Sequence, residues 1–429
     1  MRRLTLCATV ALLAWGGVAQ AQEAFRLTLA NGMRVLVQPD PGTDIVAIDL
    51  LLDIAAADEP ADCVGIRYLV QRMLLRGSTR ESGDAMAERL ASGGGMADIA
   101  VGLDYVELYL VATREGFASA MEMVADMVRR PAFLPTEVES QRQAAAELAR
   151  ASEEDPFQAT YLALRGALYG DHPYSRGVFG DPESVAALDR DDLVAFHRRW
   201  YTPGRAVLAV AGGVEPAMAL RAVERAFGDW TGKAQAREVA PEAPLKISRA
   251  VARERPGRRA HVLVGFPGPA AGEPGYCELH VLDTILSGGA RGRLPHVLRD
   301  EMALAYTVTS FCPTLRGPGH LAVHVVTEPH LVEAVNHAVV GALEEVAARG
   351  VPPEELARAK RYLLGSYALG HQRQKERAYA LAWYELLGLG EGFERRYQEA
   401  VEAVTAEGVQ QAARGLLERY VVAVTMPER

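Results

Sequence analysis

Apolar and polar positions alternate with two different periods along the chain, and the switches between them mark out its elements. From Phe25, the run Phe-Arg-Leu-Thr-Leu, a turn at Asn31-Gly32 and then Met-Arg-Val-Leu-Val-Gln read as a β-hairpin, because residues two apart share a sheet face and Asn-Gly favours a tight turn. A second apolar strand is predicted over 45–54. Ile66, Leu69, Val70, Met73 and Leu74 then fall at helical spacing, stopped by Gly77. Helices follow over 84–90, 117–129 and from Pro135-Thr136-Glu137 to about Glu153, with an alternating strand over 105–112. Strand 207–211 and helix 216–227 close the first half. Residues 231–250, with Ala, Pro, Lys and Glu and little periodicity, read as an exposed linker.

Beyond the linker the pattern starts again: strand 261–266, helix 276–286, strand 321–327, helix 331–348, a long helix from Pro353 and a final strand 421–426. The halves answer one another. Leu134-Pro135-Thr136-Glu137 matches Val351-Pro352-Pro353-Glu354 at a shift of 217, and 185–193 matches 401–409 at a shift of 216. In the second pair an N-cap residue (Asp189, Thr405) precedes an acid in the first helical turn (Asp191, Glu407). Leu74-Leu75-Arg76-Gly77 answers Ile285-Leu286-Ser287-Gly288 at a shift of 211. Near-constant offsets predict two homologous α+β domains of about 200 residues each.

Composition narrows the class. The 429 residues carry a net charge of -9, and removing Arg2 and Arg3 makes it -11; an acidic chain of this kind is a poor nucleic-acid binder. Those two arginines precede the apolar run Leu4 to Val18 and the small-x-small site Ala19-Gln20-Ala21, the pattern of a cleaved secretory leader over 1–21. The run is shorter than the roughly 20 residues a membrane anchor needs. The mature chain is therefore expected to be periplasmic, starting near Gln22, with an N-terminal domain over 22–232, the linker at 233–250 and a C-terminal domain over 251–429. Cys63, Cys277 and Cys312 remain, an odd number without CxxC spacing; one bridge and three free thiols are both compatible with it.

Chemistry-bearing patterns are few. Tyr68, Gln71 and Arg72 sit at i, i+3 and i+4, the spacing at which H-x-x-E-H presents two metal-ligating histidines and a glutamate base on one helix face. A phenol, an amide and a guanidinium replace them. Gly93-Gly94-Gly95 has no Lys-Ser/Thr after it and reads as a turn rather than a phosphate cradle. His320 and His324 lie on a strand, where positions four apart are almost 13 Å apart, and they read as structural. No Gly-x-Ser-x-Gly elbow is present.

The chain resembles the pitrilysin/insulinase family of inverzincin peptidases, in the short branch that includes the mitochondrial processing peptidase subunits. The resemblance rests on the frame Gly65-Ile66, Met73-Leu74 and Gly77-Ser78-Thr79, on Glu154-Asp155-Pro156, His172-Pro173-Tyr174-Ser175, Trp200-Tyr201-Thr202-Pro203 and Phe227-Gly228-Asp229-Trp230. In the second half it rests on Gly288-Gly289-Ala290-Arg291-Gly292-Arg293-Leu294 and Leu304-Ala305-Tyr306-Thr307-Val308. The resemblance implies two α/β-sandwich domains, each a mostly antiparallel sheet with helices packed on it, forming a half-clamshell that pairs into a chamber. It also implies that His, Glu and His of active members have become Tyr68, Gln71 and Arg72. Their third zinc ligand, a glutamate about 76 residues on, falls at Leu148 beside Glu147, and their substrate-binding asparagine falls at Ala97. Arg293 and Tyr306 match an arginine and a tyrosine that reach across the chamber to the scissile bond. The expected function is the zinc-free subunit of an exported heterodimeric zinc peptidase acting on peptides. Zinc would then sit in an H-x-x-E-H partner, with no cofactor in this chain. The alternative is an inactive peptide-binding or scaffolding pseudo-peptidase, as a homodimer.

Overall fold

The computed structural model describes residues 24–237 and 245–428; the expected leader and the middle of the expected linker lie outside them. The first half runs β1 (Phe25–Thr28), β2 (Arg34–Pro39), β3 (Ile45–Leu52), α1 (Ile66–Leu74), α2 (Gly83–Ser92), β4 (Met96–Val101) and β5 (Val106–Thr113). It continues with α3 (Phe117–Arg129), α4 (Pro135–Glu154), α5 (Pro156–Tyr169), α6 (Pro182–Ala187), α7 (Arg190–Trp200), β6 (Ala206–Gly212) and α8 (Pro216–Phe227). The second half begins β7 (Arg249–Arg255), β8 (Ala260–Gly268), α9 (Tyr276–Ser287), β9 (Thr307–Phe311) and β10 (Gly319–Thr327). It ends with α10 (Val332–Arg349), α11 (Pro353–Gly370), α12 (Gln374–Leu386), α13 (Phe393–Ala403), α14 (Ala406–Leu416) and β11 (Val421–Pro427).

The repeat is a repeat of topology. The first sheet is ordered β1-β2-β6-β3-β5-β4 and the second β7-β11-β8-β10-β9, so strands 2, 6, 3, 5 and 4 answer 7, 11, 8, 10 and 9, with β1 as an extra edge. In each sheet one pair is parallel (β2 with β6, β7 with β11) and the other pairs are antiparallel. The caps expected at Asp189 and Thr405 are present: Asp189 accepts from the N–H of Asp191 and Asp192, and Thr405 from that of Gly408.

Period-two burial explains how the halves join. On β3, Val46, Ile48, Leu50 and Leu52 point to the core shared with α1, α3 and α8, while Ala47 and Leu51 point the other way. That second face is covered by α12 of the other half, through Ala378, Leu381, Ala382, Trp383 and Leu386. Reciprocally, α5 of the first half covers the second sheet, with Leu164, Ala167 and Leu168 against Leu263, Ala322, Val421 and Ala423. Each half thus lends one helix, α5 or α12, to the other, and neither sheet is covered on both faces without its neighbour.

Polar contacts follow the same exchange. Glu385 on α12 takes a bidentate pair from Arg26 at 2.8 and 3.0 Å. Arg316 reaches Asp53 at 2.6 Å, and Arg237 bonds both Asp53 (2.7 Å) and Asp58 (2.6 Å). Arg237, inside the expected linker, is pinned to the first half, and Arg249 at the linker's far end belongs to β7. Asp49, also on the face under α12, is fully buried with no partner on either oxygen; burial and the nearby Glu107 push its carboxyl well above the ordinary range. Cys63, Cys277 and Cys312 are free and half-buried, and burial pushes the Cys277 thiol up to about 11.

His320 sits in the α5 interface, between Tyr161 (2.9 Å) and Tyr169 (2.7 Å), and His324 stacks on His261; both are structural, as their strand position implies. Burial lowers His320 to about 3 and His324, His280 and His197 to about 4, from 6.5. The unfolded chain takes up protons on these rings below its value of 6.5 while the folded chain resists. Their contribution is therefore complete above pH 6.5 and is lost as pH falls towards 4, on the order of 2–3 kcal/mol for each ring. The thermal midpoint should fall steeply between pH 6.5 and 4.5; replacing His320 by Asn should flatten that slope, and an unchanged slope would refute its assignment to this ring.

Candidate functional site

Helix α1 packs against α4, α7, β4 and β5. Its N-cap, Gly65, has φ +98°, and a Cβ there would lie 2.7 Å from the Phe179 carbonyl oxygen, so the entry turn requires glycine. The five apolar residues expected to face the core do so. Two polar ones join them: Arg67 and Gln71 are both wholly inaccessible.

The three H-x-x-E-H positions serve three different neighbours. Tyr68 is half-buried and meets Phe179 edge to face. The Gln71 amide donates to the Glu107 carbonyl at 2.7 Å and accepts from the Tyr201 hydroxyl at 3.1 Å, so it is a satisfied core group. Arg72 donates through Nε (2.9 Å) and Nη2 (2.7 Å) to one oxygen, Oε1 of Gln141 on α4.

Gln141 is the α4 side chain that meets Arg72. At the position counting gives for the third ligand, Leu148 is half-buried, and Glu147 beside it is exposed and pairs with Arg150, while Gln141 is buried. Its signal was in the sequence: Gln141 interrupts the buried stripe Val138, Ala145, Ala149 of α4, where an apolar residue is the default. The side chains at these positions, with Gln141 against Arg72, are thus a phenol, two amides and a guanidinium. None of the amides or the guanidinium offers an anionic or imidazole lone pair, and the guanidinium carries its own fixed charge, so these residues do not fit zinc. Among the described residues no group of three or more His, Cys, Asp and Glu converges elsewhere to hold a metal. Ala97, at the lost asparagine position, lies on β4, the open outer edge of the first sheet.

The second-half residues are placed apart from these, each with its own partners. Arg293 is mostly buried and held by Glu355 of α11, Nε at 2.9 Å and Nη2 at 2.7 Å, with Nη1 3.8 Å from Glu345. The Glu355 carboxylate raises the guanidinium above its ordinary value. Tyr306 is 50% exposed; its hydroxyl donates to Glu328 at 2.6 Å, and the Arg259 guanidinium lies 3.6 Å above its ring. Glu328 raises the phenol, keeping its proton in place as a donor. Arg293 therefore makes a local ion pair, while Tyr306 stands at the surface rather than in the core.

A two-domain α+β chain whose helix α1 carries the frame of a metallopeptidase helix without its donors defines the class: a peptidase-like chain with a replaced metal site. Two family models match it, one described as insulinase (peptidase family M16) over residues 34–182 and one as peptidase M16 inactive domain over residues 187–363. The chain belongs to peptidase family M16. It is 29% identical over 415 residues to an uncharacterized zinc protease of Mycobacterium bovis, covering 95% of this chain and 94% of the relative. It is 26% identical over 404 residues to the uncharacterized zinc protease YmxG of Bacillus subtilis, covering 94% and 98%. Among solved structures, a Helicobacter pylori protease superposes with TM-score 0.88 at 18% identity, covering 95% of this chain and 100% of that one. A peptidase M16 inactive domain from Pseudomonas fluorescens gives TM-score 0.87 at 20% identity, covering 95% and 98%. These two structures share the fold described above.

Proposed function

We propose that this chain is the zinc-free subunit of an exported, heterodimeric zinc metallopeptidase that acts on peptides, its partner carrying H-x-x-E-H. The observation that carries this reading is the contrast between the two ends of the chain. At α1 the Arg72–Gln141 pair replaces the metal donors, whereas Tyr306 stands exposed with its proton held for donation. In the assembled enzyme Tyr306 would donate to the oxyanion forming on a substrate carbonyl. Arg293 is fixed by Glu355 through Nε and Nη2, and its Nη1, 3.8 Å from Glu345 and so beyond hydrogen-bond distance of it, would hold a substrate carbonyl. The open edge of β4 offers backbone groups to an extended peptide. Zinc chemistry is assigned to the partner alone.

The test uses this chain and an H-x-x-E-H-bearing family member from the same organism, assayed separately and mixed. Activity should appear on mixing. Tyr306→Phe should lower kcat of the mixture by about 100-fold with little change in KM, the loss expected for one oxyanion donor. Full activity with both Tyr306→Phe and Arg293→Ala would sink the assisting role. The second reading, a homodimeric peptide-binding or scaffolding pseudo-peptidase, is favoured by the capture of Arg293 by Glu355, which leaves the guanidinium's charge neutralised within its own chain. A stable homodimer with no affinity for the H-x-x-E-H chain would select it.

A further inference from the structure

The turn between β7 and β8 is strongly basic. Residues 246–259 hold six cations (Lys246, Arg249, Arg253, Arg255, Arg258 and Arg259) against one acid, Glu254, in a chain whose net charge is -9. Elsewhere arginines are mostly paired, as Arg237, Arg316, Arg26 and Arg293 show. Among the described residues, the five arginines of this segment form no ion pair and donate no side-chain hydrogen bond. Four are exposed and Arg255 is half-buried. Unpaired charge at this density is costly through mutual repulsion, and an anion placed among the guanidinium groups relieves it.

Two further observations point the cluster at a ligand. Arg255, Arg258 and Arg259 line one side of a groove of about 300 Å³, with His261 and Pro156 among its other walls. Arg259 also lies over the Tyr306 ring, its Cζ 3.6 Å from the ring centroid, which orders the guanidinium while its N–H groups keep the capacity to receive a carboxylate. Sheet register places them together independently of the side chains: Ala260 pairs with Thr327, and His261 and Thr307 both pair with Val326, so the turn and Tyr306 stand at the same end of the sheet. Beside Tyr306 runs β9, the outer edge of that sheet, free to take an extended peptide.

We propose that the Arg255/Arg258/Arg259 turn is a specificity element that receives acidic side chains of a peptide passing Tyr306, so that this subunit selects acidic peptides. The inference rests on the peptidase-subunit reading for its biological meaning but not for its test. Glu328, bonded to the Tyr306 hydroxyl, repels a carboxylate from that side and leaves the arginine side as the place for it. Each exposed pair is weak, so selectivity comes from several acting together and fades with salt.

The probe is a fluorescein-labelled peptide of about ten residues rich in Asp and Glu, with its Asn/Gln counterpart, titrated into this chain alone by fluorescence anisotropy. At low salt the acidic peptide should bind on the order of tenfold more tightly than the neutral one, the sum of a few exposed pairs. The triple variant Arg255→Gln/Arg258→Gln/Arg259→Gln should bind both peptides equally, with neutral-peptide affinity unchanged, and the triple Lys variant should keep the preference. Removing two exposed arginines elsewhere, Arg373→Gln/Arg395→Gln, should leave the preference intact. Equal binding of both peptides by the unaltered chain, survival of the preference in the Gln variant, or its loss in the Arg373/Arg395 control would each overturn the proposal. Because the readout needs no partner, failure of the heterodimer reading leaves this result standing, and its own failure leaves activity on mixing untouched.

Discussion

Tyr68→His, Gln71→Glu and Arg72→His, combined with Gln141→Glu on α4, should give a chain that retains about one zinc per molecule after dialysis, where the native chain retains none. The expectation follows from the Arg72–Gln141 hydrogen bonds, 2.7 and 2.9 Å long, which bring a side-chain oxygen of α4 to the residue at the second histidine position of α1. Leaving Gln141 in place should weaken zinc retention by at least about tenfold, since the anionic ligand is missing. Moving the glutamate to Leu148 should not restore it. Metal-free, the quadruple variant should be less stable than the native chain, because a glutamate at 71 sets an acceptor against the Glu107 carbonyl that Gln71 now satisfies, at a cost of about 1–3 kcal/mol. Elemental analysis and thermal melts with and without zinc decide the matter. Tighter zinc retention with Leu148→Glu than with Gln141→Glu would mean that the facing position on α4 has been misassigned.

Elements set by local pattern are legible from the sequence. Helix α8 spans the residues its periodicity predicts, and the repeat offsets near 217 correspond to two sheets of one topology. Those signals are local or come from two copies of one pattern. Several strands and helices were not anticipated, four of them for identifiable reasons. The edge strands β4, β7 and β9 bury little on either side and so carry no strong apolar alternation. Helix α5 has a weakly amphipathic sequence because it is covered on two sides, by its own half and by the second sheet. The helix exchange itself could not be read, since neither α5 nor α12 states which of two similar sheets it will cover.

At the site, the loss of donors at 68, 71 and 72 was legible from residue identity alone. That Gln141 is the α4 side chain meeting Arg72 depends on the register of α4 against α1, which a residue count does not give. Likewise the residue types of Arg293 and Tyr306 were legible but their partners, Glu355, Glu328 and Arg259, come from segments distant in sequence. The buried Arg67 was also missed. An arginine at the second position of a buried helix reads as a solvated charge until Glu59 is seen against it.

Arg67→Met should be the most damaging single change near the site, costing about 3–5 kcal/mol, because it strands a buried carboxylate. Arg67 and Glu59 have wholly inaccessible side chains with Nε 3.3 Å from Oε1. Glu59 also accepts from the backbone N–H of Gly65 (3.1 Å) and Arg67 (3.2 Å), satisfying the start of α1. Arg67 Nη1 donates to the carbonyls of Ile54 (3.2 Å) and Gly102 (2.7 Å), tying α1 to the end of β3 and to the turn before β5. Burial raises the Glu59 carboxyl above its ordinary 4.5 even with Arg67 opposing it, so losing Arg67 must raise it further. A carboxyl with a folded value above its unfolded one favours folding when protonated, and that advantage is lost as pH rises through the folded value. The deficit of Arg67→Met should therefore be smaller at pH 5 than at pH 8. The buried histidines weaken native and variant chains alike in acid, so they cancel when the two are compared at each pH. Adding Glu59→Gln should recover part of the loss at pH 8 and remove its pH dependence. Urea unfolding at both pH values measures all three chains, and equal Arg67→Met deficits at pH 5 and 8 would show that the stranded charge on Glu59 is not the cause.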